Sequence, residues 1–119
     1  MKRIVFILLI AIAFVACEKE PVPPTGDLLI ILENPDGFNQ SDVEVWLYDS
    51  KYGFDNFEFY DLQISDENGE VFWSELPVGW YYIEAEITIP VNYILSAIDS
   101  IEVTENTQRN KRLILSTGN

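Results

Sequence analysis

"SDENGEVFWSELPVGWYYIEAE", residues 65–86, is the stretch that decides the fold. Successive side chains on a strand point to opposite faces, so the alternation over "EVFWSEL" (70–76) and "GWYYIEAEITI" (79–89) marks two half-buried strands. Between "FEFYDLQIS" (57–65) and "EVFWSEL" lies "DENG", where Asn68 and Gly69 accept the positive φ of a tight turn, which predicts a hairpin. Pro77 to Gly79 supplies the next turn. The alternation leaves one puzzle: Phe72 and Trp73, and Trp80 through Tyr82, place aromatics on both faces. One set belongs to a core. The other needs a second explanation.

Working outward, "DLLIILE" (27–33) reads as a short buried strand, followed by the turn-rich "NPDGFNQSD". "VEVWLYD" (43–49) sets Val43, Val45 and Leu47 against Glu44, Trp46 and Tyr48. "SIEVTE" (100–105) and "KRLILS" (111–116), separated by "NTQRN", complete seven strands. No apolar stripe of period 3.6 runs for a dozen residues after the linker. The sequence therefore predicts an all-β, seven-stranded β-sandwich.

The pattern "SDVEVWLYD" followed by Asp66-x-x-Gly69, alternating Val71 and Trp73, then Leu76-Pro77-x-Gly79-x-Tyr81 and Ile83, resembles the transthyretin-like sandwiches known as carboxypeptidase regulatory-like and collagen-adhesin B-type domains. The resemblance covers about residues 27–116 and is most specific over 66–83. It implies a Greek-key (prealbumin-like) topology, with Val71, Trp73, Leu76, Tyr81, Ile83 and Ala85 facing the core and Phe72, Trp80, Tyr82, Glu84 and Glu86 facing out. It also implies that strands 43–49 and 79–89 are neighbours. Trp46, Tyr48, Trp80 and Tyr82 then form one outer patch bordered by Glu44, Glu84 and Glu86, a candidate binding face for a protein or a glycan. The competing expectation is that "KYGFDNFEFY" (51–60) folds over this face and buries the rings with Tyr52 and Phe54. Some collagen-adhesin repeats carry a lysine on the first strand that forms an isopeptide crosslink; "DLLIILE" has none, so no such crosslink is expected.

The N-terminus opens with Lys2 and Arg3 and an apolar run from Ile4 to Ala16, as secretory signal peptides do. The run is short for a bilayer core of about 30 Å, which takes about 20 residues to span. "FVAC" (14–17) resembles the lipobox of bacterial lipoproteins, departing from it at Phe14 and Val15. The resemblance implies cleavage before Cys17 and acylation of that residue, which also accounts for the single cysteine of an exported chain. The expected organisation is a signal peptide at 1–16, lipidated Cys17 with the proline-rich tether "EKEPVPPTG" to residue 26, a sandwich at 27–116 and a tail at 117–119. The expected location is the bacterial cell envelope, at the outer membrane, with the lipid anchor as the link to the membrane.

Lys2 and Arg3 leave with the signal peptide, so 5 basic and 20 acidic residues remain, a formal charge of −15. Nucleic acid and anionic lipid are therefore poor partners. With no histidine, Ser-His-Asp and Cys-His catalysis and His-containing metal sites are excluded. A carboxylate pair could still hydrolyse a glycosidic bond if a cleft held it. Asp36, Asn39 and Asp42, and Asp66, Glu67, Asn68 and Glu70, are oxygen ligands of the kind calcium takes, but neither set has EF-hand spacing and turn chemistry explains the second. Asp99-Ser100-Ile101 resembles a bacterial O-glycosylation acceptor; the plainer reading is a surface turn. The expectation is a non-enzymatic binding module with no cofactor beyond the lipid, the alternatives being a structural spacer or assembly subunit and a hydrolase.

Overall fold

The computed structural model describes residues 22–90 and 93–117. The expected signal peptide, Cys17, the first part of the expected tether, residues 91–92 and the last two residues lie outside these.

Among the described residues, seven strands form in the order β1 (Thr25–Glu33), β2 (Glu44–Tyr48), β3 (Asp61–Ile64), β4 (Glu70–Pro77), β5 (Gly79–Ile89), β6 (Tyr93–Val103) and β7 (Gln108–Ile114), with one short helix, α1 (Lys51–Asn56), between β2 and β3. They make two sheets, β4-β1-β7 and β3-β2-β5-β6. β1 runs antiparallel to β4 and parallel to β7. The period-two pattern sends Leu28, Ile30 and Leu32 of β1 inward, to meet Val45 and Leu47 of β2, Val71, Trp73 and Leu76 of β4, and Tyr81, Ile83 and Ala85 of β5, all buried. Each fully buried aliphatic or aromatic side chain contributes about 1.5–3 kcal/mol, so this interleaving is what holds the sheets together.

The open sides of the sandwich are closed by side chains and a short backbone bridge. On one side, Gln63 of β3 donates from Nε2 to the Phe72 carbonyl at 2.8 Å and accepts from the Phe72 N–H at 3.3 Å. A free strand edge is thereby satisfied at that residue without a further strand. On the other side, Lys111 of β7 pairs with Asp99 of β6 at 2.9 Å, and the Ser96 N–H donates to the Ser116 carbonyl at 2.8 Å.

The turn at Asp66–Gly69 departs from the hairpin expectation. β3 pairs with β2 and β4 pairs with β1, so the turn carries the chain from one sheet to the other. Asn68 keeps ordinary φ and only Gly69 is left-handed, at φ 76°. Asp66 Oδ1 accepts from the N–H groups of Asn68 and Glu70, and the Gly69 N–H donates to the Asp66 carbonyl, a side-chain-stabilised turn that either connection can use. A Cβ on Gly69 would lie 2.9 Å from Asn39 Cβ, Gln40 N and the Leu32 carbonyl oxygen. Strand 57–65 contracts to β3 because Ser50 caps a helix instead: its Oγ accepts from the Gly53 N–H, Lys51 and Asp55 pair across one turn, and Phe57 ends the helix in a left-handed conformation at φ 55°. β6 begins at Tyr93 rather than Ser100, and β7 takes in residues 108–110. Asp99-Ser100-Ile101 accordingly lies within a strand and not in a turn.

Candidate functional site: the outer face of the four-stranded sheet

Cross-strand register assembles the outer face. Glu44 stands opposite Glu86, Trp46 opposite Glu84, and Tyr48 opposite Tyr82. Trp80 stands opposite Glu102 and Tyr82 opposite Ser100. The four aromatics and three glutamates therefore share one face of β2 and β5, but the rings do not share one environment.

The segment 49–60 folds over one end of the face. Phe54 of α1 meets Tyr48 edge-on at 5.3 Å and Tyr82 at 5.9 Å. Phe57, held outward by its left-handed backbone, meets Trp46 at 5.9 Å and Tyr48 at 6.4 Å, and Phe59 packs on Phe57 at 5.5 Å. Tyr48 is completely buried as a result, and Trp46 and Tyr82 are half-buried. Phe54 provides the cover together with Phe57; Tyr52 does not, being 68% exposed. The Tyr48 hydroxyl donates to Glu84 Oε1 at 2.9 Å. Burial first, then that hydrogen bond and the Glu84 charge, push the Tyr48 phenol well above its ordinary range. Glu84 is thus engaged beneath the cover.

Trp80 escapes. It is 58% exposed at the end of β5 nearest the Pro77–Gly79 turn, where Gly79 takes φ 145°, a backbone open to glycine. A cleft of about 230 Å³ lies on one side of the indole, lined by Asp49, Tyr60, Pro77, Val78, Gly79 and Tyr81. A second, of about 340 Å³, lies on the other side, lined by Ser100, Ile101, Glu102, Arg109, Asn110 and Lys111. Tyr81 also anchors the first. Its hydroxyl donates to the Pro77 carbonyl at 2.6 Å and its ring meets Tyr60 at 6.3 Å. Burial, then the charges of Tyr60 and Asp49, raise the Tyr81 phenol to about 12. Across the second cleft, Arg109 Nη1 donates to the Glu102 carbonyl at 3.1 Å, leaving its other N–H groups available.

Of the expected face, then, Trp80 is the aromatic that remains open, while Glu44 and Glu86 sit at the opposite end of the β2–β5 ladder. Sequence reading missed Tyr60, Asp49, Arg109 and Asn110. The lone signal for the last two was "QRNKR" (108–112), which holds three of the chain's seven basic residues. Of the proposed oxygen ligands, Asp66 is occupied by its turn, and Asn39 Nδ2 donates to the Asn68 carbonyl at 2.8 Å, zipping the two loops together. No group of three or more metal-ligating side chains occurs among the described residues.

No family profile matches the chain, and no curated protein matches it in sequence. Solved structures do match in fold. The major pilin subunit BcpA of Bacillus cereus superposes with a TM-score of 0.57 at 21% identity, covering 81% of this chain and 31% of the pilin. A proposed carbohydrate-binding protein of Pseudomonas aeruginosa gives 0.55 at 13%, covering 82% of this chain and 92% of that one. Transthyretin from Sparus aurata gives 0.54 at 16%, covering 76% and 88%. The chain thus spans about a third of the pilin's length. At these identities the likeness establishes the fold alone, which is that of the transthyretin-like and pilin-like β-sandwiches.

Proposed function

We propose that this protein is a cell-envelope lipoprotein, held to the outer membrane by acyl chains on Cys17, whose sandwich binds an envelope protein or glycan through the surface around Trp80. The observation that carries the reading is the contrast among the four outer aromatics. Phe54 and Phe57 cover Tyr48 and shield Trp46 and Tyr82, yet Trp80 is left open with a cleft on each side that carries hydrogen-bonding groups among apolar ones. An indole exposed beside hydrogen-bonding groups is suited to contact, since one end can pack while the rim stays wet. Catalysis is the weaker reading, because the chain has no histidine and the indole stands between the carboxylates of Asp49 and Glu102.

The test is retention of envelope components by the full-length, detergent-solubilised protein, compared with Trp80→Ala. Loss of retention at unchanged melting temperature supports the reading, and unchanged retention ends it. A structural-subunit reading is favoured by a different observation, the exposure of Ile94 and Ile98 on β6 and Ile114 on β7. It predicts concentration-dependent self-association that Ile98→Lys abolishes.

A further inference from the structure

We infer that the occupant of the Trp80 surface is an uncharged oligosaccharide that crosses the indole and places neighbouring sugar units in the two flanking clefts. The inference rests on Trp80 being the contact surface and assigns the chemistry of what it contacts.

A pyranose ring has an apolar face of C–H groups and a rim of hydroxyls that both donate and accept. Its site needs a flat apolar platform bordered by donors and acceptors in one plane. Trp80 supplies the platform. In the first cleft Asp49 accepts and the Tyr60 hydroxyl does either; in the second Ser100 does either, Glu102 accepts and Arg109 donates. A protein hot spot has a different form: its central aromatic sits desolvated among apolar neighbours. Here the aromatic neighbours, Trp46, Tyr48 and Tyr82, belong to the packing around Phe54 and Phe57, and the exposed indole is bordered by hydrogen-bonding groups interspersed with the small apolar surfaces of Pro77 and Val78 on one side and Ile101 on the other.

The position of the clefts sets the length and charge of the ligand. They lie on opposite sides of one indole, so a chain of about three units fills the site, where a single sugar fills only the stacking position. Twenty acidic residues against seven basic ones across the chain repel uronic acids and phosphorylated glycans. Of the two cations at the second cleft, Lys111 is already paired with Asp99, and Arg109, which donates to the Glu102 carbonyl, is one positive charge against that acidic background. An uncharged chain meets no such repulsion.

The experiment is calorimetry on the full-length protein in a detergent without a sugar headgroup. The probes are cellohexaose, mannohexaose, maltohexaose and chitohexaose, their di- and trisaccharides, and hexagalacturonate as the acidic comparator. At least one neutral hexasaccharide is expected to bind, with affinity rising from di- to trisaccharide and then levelling. Trp80→Ala is expected to weaken it by about tenfold or more, as loss of a central aromatic does. Asp49→Ala and Arg109→Ala should each cost less and independently, acting in different clefts. Absence of binding by every neutral hexasaccharide at millimolar concentration overturns the inference, as does preference for hexagalacturonate or binding that Trp80→Ala leaves unchanged. The contact reading is judged separately: if Trp80→Ala still abolishes retention of envelope material and protease treatment of that material does the same, the surface binds a protein and only the glycan assignment fails.

Discussion

The Trp73 indole Nε1 donates to Asp61 Oδ2 at 2.7 Å, joining β4 of one sheet to β3 of the other. Both residues face the interior side of their strands, and the bond lies at the margin where the ring leaves the core. Trp73 therefore acts twice, as buried apolar surface and as an inter-sheet tie. Trp73→Ala is expected to cost about 3–5 kcal/mol, whereas Trp73→Phe, which keeps most of the packing and loses the charge-assisted bond, should cost about 1.5–3 kcal/mol. Urea midpoints of the two variants measure the difference.

The cover over the outer face should behave as a second, smaller core. Phe54→Ala opens Tyr48 and Tyr82 to water and is expected to cost about 2–3 kcal/mol, while Trp80→Ala stays within about 0.5 kcal/mol of wild type. A near-ultraviolet circular dichroism change in Phe54→Ala without loss of sheet signal would report the uncovering. Equal melting temperatures for these two variants would contradict the assigned environments.

Gly69→Ala combines two penalties. A left-handed φ costs a non-glycine residue about 1–3 kcal/mol, and the added methyl meets backbone of β1 and of the 39–40 loop. Destabilisation beyond the strain alone is expected, because the Leu32 carbonyl and Gln40 nitrogen cannot swing away as a side-chain tip can. Thermal unfolding of the variant checks it.

Alkaline pH should unfold the domain through its two buried phenols. Both fold with raised pKa values, Tyr81 at about 12 and Tyr48 higher, against about 10 in the unfolded chain. Above pH 10 the unfolded state releases protons that the folded state retains, so stability is full below that value and falls as pH rises toward 12 and beyond. Tyr48→Phe should make this decline shallower. Of the six tyrosines, Tyr48 and Tyr81 should be the last to show phenolate absorbance.

Lipidation at Cys17 is tested by palmitate labelling in a bacterium that processes lipoproteins. Labelling and membrane retention are expected of the wild type and should be lost in Cys17→Ser, since stable anchoring takes more than one acyl chain's worth of buried CH₂ groups. A mutant that labels and partitions as the wild type does would refute the site.

Most of the architecture was legible because a strand with one wet face writes its geometry as period two. Val71, Trp73, Tyr81, Ile83 and Ala85 fall inside on that basis, and β2 and β5 pair as the resemblance implied. The first half of β6 was hidden by the same logic, since Ile94 and Ile98 occupy outward positions and blur the alternation. Turn chemistry at Asp66–Gly69 is local and looks alike whether the chain returns to its own sheet or crosses to the other. The separation of Trp80 from its neighbours arises because Phe54 and Phe57 land on Tyr48, Tyr82 and Trp46, a placement made by the packing of α1 and not by any short pattern. Arg109 joins the same surface only through the fold, twenty-nine positions along the chain.

The entry of the chain into the sandwich gives the molecule a near end and a far end. Thr25 pairs with Pro77, and the Val78 N–H donates to the Pro24 carbonyl at 3.3 Å, so Trp80 stands beside the point where the tether arrives. The β5–β6 tip lies ten residues up the strand, about 33 Å away. Residues 17–24 can extend about 28 Å at most. A lipid at Cys17 would therefore hold Trp80 on a short leash, confining its search to a thin layer against the bilayer. Ligands in that layer would meet the site at high effective concentration, and modest intrinsic affinity would suffice for occupancy.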